Sequence, residues 1–517
     1  MTGYIDGKKI PDLKYEDMVP SRKVAGMSIR AAPNVRYITT NGNITTVTLP
    51  ARAAVGTLVS VVCERGGGWR IKPAPGQVVW NEGYPSDVTG YEIGDSANLV
   101  CIVADREWTL DSYNRVSSDA KLYGVRIDTT DPNPETAVVY TDDAVGFSPM
   151  RGNNGNFDWG SWEVPFRALG IRPCVLKNGV PNYYLNPDDV SQNANGSAAD
   201  ITSGNDGDVV AEFPKIYWKF GQDGIYRTVQ ISKVPRDGFV CLAHTRGDTE
   251  VDVIHIGRYQ GVVADGRLRS LSGKTPTRSQ TKDMFRGYAH QNGDGYEQFI
   301  FYQMVLLQVL YAIFFKNLDS QTALGRGNCD ASVLKNTGAR DKSGMFYGIS
   351  TVGNNEQVVF CGIEDFYGNG WVWVDGIWTT VNTVPPRKLW IATGDLDTVP
   401  YVLVDTVWID LDPRPNNYLE YGTGFAANQD GYVKDVHGTN ETGFVTALPG
   451  GSETTHYCDY AYLRAGCVGS FGGHWTNAGN VGAFRFTLDY SPANVHSSIG
   501  GRLTHIGVKE EGAGGDT

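Results

Sequence analysis

Residues 362–378 read GIEDFYGNGWVWVDGIW, and the whole chain is best understood outward from them. Trp371 and Trp373 alternate with valines, so they are expected to fill an interior beneath a loop-rich surface. Asp365, Asn369 and Asp375 stand among the glycines around them, and short polar side chains of this kind hydrogen-bond loop amides that would otherwise go unpaired. Two shorter stretches follow in order, FGGHW at 471–475 and IGGR at 499–502. The segment that joins them, GGHWTNAGNVGAFRFTLDYSPANVHSSIGGR (Gly472–Arg502), is rich in Gly, Asn, Ser, His and aromatics and has no helical period. That composition describes a contact surface better than a core.

Upstream of this region lies the strongest helical signal. In YEQFIFYQMVLLQVLYAIFFKN, Phe299, Tyr302, Leu306, Leu310 and Ile313 recur at three- and four-residue spacing, and Asp294 is placed to cap the helix. The apolar run from Phe299 to Phe315 contains Gln303 and Gln308 and is too short for a confident membrane span, so a buried helix and no membrane insertion are predicted. SQTKDMFRGYAHQN (279–292) predicts a second, weaker helix.

Before these helices strand and turn signals dominate. Residues 1–33 are polar and Pro-interrupted and read as an N-terminal arm. Residues 34–112 read as a small all-β attachment domain, opened by a hairpin at Asn41-Gly42. Residues 113–121 read as a linker, and 122–517 as one larger domain with a further tight turn at Asn178-Gly179. Strands before the helices and glycine-rich chain after them give an α+β class for the larger domain.

Composition excludes several functions. With 63 glycines, 12 tryptophans, 27 tyrosines and 19 phenylalanines the chain is turn-rich and supplied with flat contact residues. A net charge of -12 argues against a phosphate-binding role, so nucleic acid is not an expected partner. The N-terminus lacks the apolar core of a signal peptide. The eight cysteines have no CxxC spacing; buried free thiols are expected, with Cys63/Cys101 and Cys458/Cys467 as the pairs to test for disulfides. The histidines show no HExxH spacing, and neither a GxSxG elbow nor a Walker loop occurs. Asp200, Asn205, Asp206 and Asp208, in the polar tract 186–208 read as an exposed loop, offer oxygen ligands for calcium at a spacing that misses the EF-hand pattern. The RGD tripeptide at 246–248 reads as a chance match.

Taken together, DFYGNGWVWVDG, FGGHW and IGGR resemble, in order and spacing, the C-type lectin fold as elaborated in formylglycine-generating enzymes and in the variable receptor-binding proteins of phages and diversity-generating retroelements. The resemblance covers roughly residues 122–506. It implies that Asp365, Asn369, Trp371, Trp373, Asp375 and Arg502 are structural. It also implies that an enzyme of this kind would carry a pair of reactive cysteines shortly before the closing arginine strand. Residues 479–484 occupy that region here and contain no cysteine, and Val372 stands where the enzymes commonly have glutamate. No enzymatic activity, catalytic residue, metal or cofactor is therefore expected.

What the resemblance leaves is binding. In the phage members the segment before the closing strand contacts the host. Carried onto this chain it implies His474, Trp475, Thr476, Asn477, Asn480, Phe486, Asp489, Tyr490, Asn494, His496 and Ser498, with Phe484 and Trp475 as the residues most prone to burial. The expectation is a phage tail fibre or tip protein in the virion that binds a host cell-surface receptor, glycan or protein. The N-terminal domain would join other virion proteins, and the chain would assemble as a homotrimer. The alternative is a structural decoration, head fibre or baseplate protein that uses the fold for assembly alone.

Overall fold

The computed structural model describes residues 4–5, 8–9, 20–40, 44–64, 68–81, 84–85, 88–90, 95–114, 121–246, 249–379, 387–392, 418–425 and 429–507. Among the described residues strand far outweighs helix, so the fold is mainly β with several sheets. It divides into two compact units, Met1–Ala120 with Gln192–Ala198, and Lys121–Ser191 with Ala199–Thr517.

In the first unit the chain winds between two sheets. Ser21–Val24, Val35–Thr39 and Leu58–Cys63 lie side by side in a seven-stranded sheet, and Ser28–Arg30, Thr45–Thr48 and Trp69–Lys72 in a four-stranded one. Every neighbour within these two trios is parallel. The expected hairpin at Asn41-Gly42 is therefore corrected: those two residues lie outside the described chain, and the strands on either side belong to different sheets. The N-terminal arm is corrected too, since residues 21–30 contribute the outermost strand of each trio. Their side chains are mostly exposed, which erased the alternation that betrays a strand. Tyr37, Val61, Trp69, Leu99 and Trp108 fill the core between the sheets. The last strand, Glu107–Asn114, runs past the expected domain end and into the residues read as linker.

Three main sheets build the second unit. Leu122–Asp128 lies between Val138–Asp142 and Tyr226–Ser232, with Tyr217–Asp223 outermost. A seven-stranded sheet includes, in spatial order, Arg172–Lys177, Asp208–Pro214, Val253–Gly257, Leu503–His505 and Tyr296–Gln298. The third is nine-stranded, and in it Trp371–Thr379 neighbours Val468–Phe471, which neighbours Phe486–Tyr490. The predicted turn at Asn178-Gly179 is present: both residues have positive φ, 53° and 79°, and join the antiparallel strands Arg172–Lys177 and Val180–Asn186. The tract read as an exposed loop instead contains the edge strand Asp189–Asn193 and ends in the buried Asp208.

Among the described residues four α-helices accompany the sheets: α1 (Glu163–Leu169), α2 (Lys282–His290), α3 (Phe301–Phe315) and α4 (Ser320–Ala323). All fifteen residues of α3 are buried, as a helix apolar on every side requires. Asp294 does not cap it. Residues 296–298 are drawn into the seven-stranded sheet beside Leu503–His505, so the helix starts only at Phe301. The tight bend before that strand needs Gly295, where a Cβ would lie 2.1 Å from the Gly507 carbonyl oxygen. Among the described residues no helix is long and apolar enough to cross a membrane.

Candidate functional site

The strand Trp371–Thr379 separates two cores. Trp371 and Trp373 point into a cluster with Phe285 and Ala289 of α2, while Val372, Val374 and Ile377 join the main core around α3. Below the surface its flanking polar residues bond one another and distant backbone. Asn369 Oδ1 accepts from the Asn328 side-chain amide and the Lys335 backbone N–H, both at 2.8 Å, and its own amide donates to the Lys335 carbonyl and to Asp365.

Asp375 takes the loop-amide role expected of it, accepting from the Gly376 N–H at 2.8 Å, and adds an ion cluster to it, whereas Asp365 bonds side-chain amides instead. Asp365 accepts from the side-chain amides of Gln357 and Asn369, and the adjacent Glu364 takes the loop N–H groups of Gly338 and Arg340 at 2.7 and 2.8 Å. Burial and mutual repulsion push this carboxyl pair upward, against the pull of nearby arginines. Asp375 is the centre of a buried ion cluster with Lys282 and Arg286 on α2, whose charges hold its carboxyl well below the usual range. Arg502 donates to the carbonyls of Gly257, Arg258, Glu364 and Asp365, each at 2.8–2.9 Å. Each of the three sequence stretches is stitched to another: Ile499 and Gly500 pair in parallel with Trp371 and Val372, and Gly368 N–H donates to the Gly472 carbonyl.

Above this buried layer the chain turns at Gly472 and Gly473, with φ of 92° and 77°. A Cβ on Gly473 would sit 2.6 Å from Val481, so the approach itself demands glycine. The turn is fixed by its own side chains: Asn477 Oδ1 accepts from the His474 N–H, and Ala331 N–H donates to the Trp475 carbonyl. His474, Trp475, Asn477, Asn480, Tyr490, Asn494 and His496 are half-exposed and Thr476 is exposed. The rings of His474 and Trp475 meet edge to face with centroids 5.2 Å apart, and those of Tyr490 and His496 lie 5.6 Å apart.

Arg485 links these groups from below. It is buried, lies 4.8 Å from the Trp371 ring centroid, and donates to the carbonyls of Asn480 and Tyr460 at 2.9 Å. Burial, with the positive charges of Arg485, His496 and Arg278, brings the His474 imidazole down to about 4, so it is neutral near pH 7.

Two residues named for this surface, Phe486 and Ser498, do not belong on it, and Phe484 is buried as expected. Phe484 and Phe486 point into the main core, because alternate residues of strand Phe486–Tyr490 and the turn before it face α3. Ser498 is buried and bonded to the His496 Nδ1 at 2.7 Å. Asp489 is half-buried beside Arg464 at 2.9 Å, and desolvation raises its carboxyl.

Other residues were missed. Tyr432, Tyr460 and Tyr462 are half-exposed and adjacent, with centroid spacings of 5.0 and 5.1 Å. Tyr460 also lies beside the Arg485 guanidinium, at 5.9 Å, and the charges of Tyr462 and Arg485 act on Tyr490. The sequence YAYL at 460–463 carried the signal, since residues two apart on a strand share a face.

The candidate calcium ligands are not gathered. Asp200 is occupied by the 202–203 turn, Asp206 by the Tyr183 hydroxyl, and Asp208 by Arg269 and the Ser270 N–H. All eight cysteines are buried thiols, so neither Cys63/Cys101 nor Cys458/Cys467 forms a disulfide. The RGD tripeptide falls on residues largely outside the described chain. No family model and no curated protein matches the sequence.

Proposed function

We propose that the chain is a receptor-binding protein of a phage particle, with a lectin-like second unit that presents the aromatic face around Arg485 to a host-surface glycan or protein. One observation carries this reading. Half-exposed rings, His474, Trp475, Tyr490, His496 and the tyrosines 432, 460 and 462, share neighbours on a backbone pinned by buried hydrogen bonds. Flat side chains held rigid give contact area at little entropic cost, and the amides of Asn477, Asn480 and Asn494 add adaptable hydrogen bonding. The lectin-like assignment is supported by the way the stretches at 365–375, 471–475 and 499–502 meet through Arg502 and the Gly368–Gly472 bond. The N-terminal unit would attach the chain to the particle, and trimerisation would multiply weak single contacts.

The test is adsorption. The full-length protein added to host cells should bind them and compete with phage attachment, and a Trp475→Ala/Tyr490→Ala variant should lose both abilities while keeping its melting temperature. A wild-type protein that assembles into particles yet neither binds nor competes would overturn the receptor role in favour of assembly alone.

A further inference from the structure

Across the seven-stranded sheet of the second unit, side chains that carry chemistry stand in register. Arg172 is opposite Glu212, Glu212 opposite His255, His255 opposite His505, and His505 opposite Tyr296. Partners directly opposite on neighbouring strands point to the same face, so the row is contiguous although its members are scattered over more than three hundred positions of sequence. Cys174 stands two residues beyond Arg172 on the same strand, hence on the same face.

Three of these residues bring different donor atoms together. The Cys174 sulfur, a Glu212 carboxylate oxygen and a His255 ring nitrogen lie within 4.8 Å of one another, and all three residues are buried, at 0%, 4% and 4% exposure. His255 Nδ1 has no hydrogen-bond partner, an unusual state for a buried imidazole nitrogen. Glu212 is already oriented from outside: Arg172 donates to Oε1 at 2.8 Å, and the Tyr184 hydroxyl lies 3.1 Å from Oε2. Arg172 and Tyr184 are themselves only half-buried, so they form the solvent-side rim of the cluster.

We propose that Cys174, Glu212 and His255 form a binding site for a zinc-class divalent cation. Sulfur and imidazole donors favour zinc over calcium or magnesium, which take oxygen ligands. Three protein donors leave one position of a tetrahedral ion for water. On binding, the Cys174 thiol loses its proton to solvent and its sulfur bonds the metal. His255 Nε2 exchanges its contact with Glu212 Oε2, 3.3 Å in this structure, for the ion, and Nδ1 carries the ring proton. Glu212 contributes Oε2 while Arg172 keeps Oε1, so Arg172 acts as a positioning residue. The site lies on strands of the scaffold, and its effect would be to tie together Arg172–Lys177, Asp208–Pro214 and Val253–Gly257, three strands distant in sequence.

Cobalt(II) added to chelator-treated full-length protein tests this directly. One equivalent should produce the near-ultraviolet charge-transfer band of a thiolate–cobalt bond, and zinc should bleach it. Cys174→Ser should abolish the band, His255→Gln should weaken zinc binding, and Arg172→Ala should weaken it roughly ten- to a hundredfold, as loss of an outer partner does. Cys458→Ser, altered in a buried thiol elsewhere, should leave the band unchanged. Circular dichroism of each metal-free variant separates lost ligation from lost fold. Absence of the band in wild type, or its persistence in a folded Cys174→Ser protein, would overturn the proposal.

Discussion

The buried layer beneath strand Trp371–Thr379 and the aromatic surface above it use the same residue types to opposite ends. Below, Asn369, Glu364, Asp365, Asp375 and Arg502 are buried, and their polar groups bond carbonyls, amides and cations from distant parts of the chain. Above, Asn477, Asn480 and Asn494 and the rings of Trp475, Tyr490 and His496 keep part of their surface open. The first layer spends most of its polarity on holding the backbone, while the second keeps part of its own open. Substitutions should therefore cost stability below and binding above.

The largest effect is expected at Arg502. Replacing it with Met keeps much of the apolar stem but takes a donor from four buried carbonyls, of which Arg258's keeps the Glu364 N–H, and each buried unsatisfied group costs about 1–3 kcal/mol. A loss of at least about 4 kcal/mol is predicted, a large part of the stability of an ordinary domain. Denaturant unfolding of the purified variant measures it, and a loss below about 1 kcal/mol would show that the closing strand is not what joins the layers.

Next comes Asp375→Asn, which removes the negative charge between Lys282 and Arg286. Lys282 retains Asp283 at 2.6 Å, so about 3 kcal/mol is expected, at the lower end for breaking a buried pair. Lys282→Met together with Asp375→Asn should recover part of this loss, which a mere packing defect would not allow.

Much of this layer was legible in the sequence as position but not as partnership. Trp371 and Trp373 announced a buried strand by alternation, Asn178-Gly179 announced its turn, and the apolar periodicity of 301–315 announced α3. What stayed hidden was every link made across long separations. Asp375 finds its cations 93 and 89 residues away, and the metal donors at 174, 212 and 255 meet only through strand register. No local spacing encodes such a meeting. The parallel winding of the first unit was misread for a related reason, since Asn41-Gly42 carries a hairpin signal regardless of which sheet its neighbours join. On the surface, Phe484, Phe486 and Leu488 share a face by a spacing of two just as Tyr460 and Tyr462 do, and nothing local says which of the two faces is the core.

A smaller effect sharpens the contrast between buried and open histidines. His244 is fully buried, its Nε2 lies 3.0 Å from the Phe213 carbonyl, and desolvation brings it down to about 4 from an ordinary 6.5. Because the folded value is the lower one, the unfolded chain binds the extra proton between those limits. Stability should thus fall as pH drops from about 6.5 to about 4 and level off below, by about 3 kcal/mol in total from this residue. His244→Gln should flatten that slope in denaturant unfolding followed against pH. An unchanged slope would assign the acid sensitivity elsewhere.

The smallest effect on stability is predicted for the aromatic surface, and there the comparison is most exposed to refutation. Trp475 is half-exposed, its carbonyl is held by the Ala331 N–H whatever the side chain, and its ring meets that of His474 edge to face. Trp475→Ala should cost under about 1 kcal/mol of folding stability, as surface changes do, yet about 2 kcal/mol of receptor affinity if the ring is an anchor. Tyr460→Ala samples the part of the surface that the closing segment does not contain. If it weakens adsorption as Trp475→Ala does, the recognition surface extends over the tyrosine row; if Trp475→Ala alone does so, recognition is confined to residues 474–496. If both unfold the protein instead, the rings are structural, and the division between a holding layer and a contacting one fails.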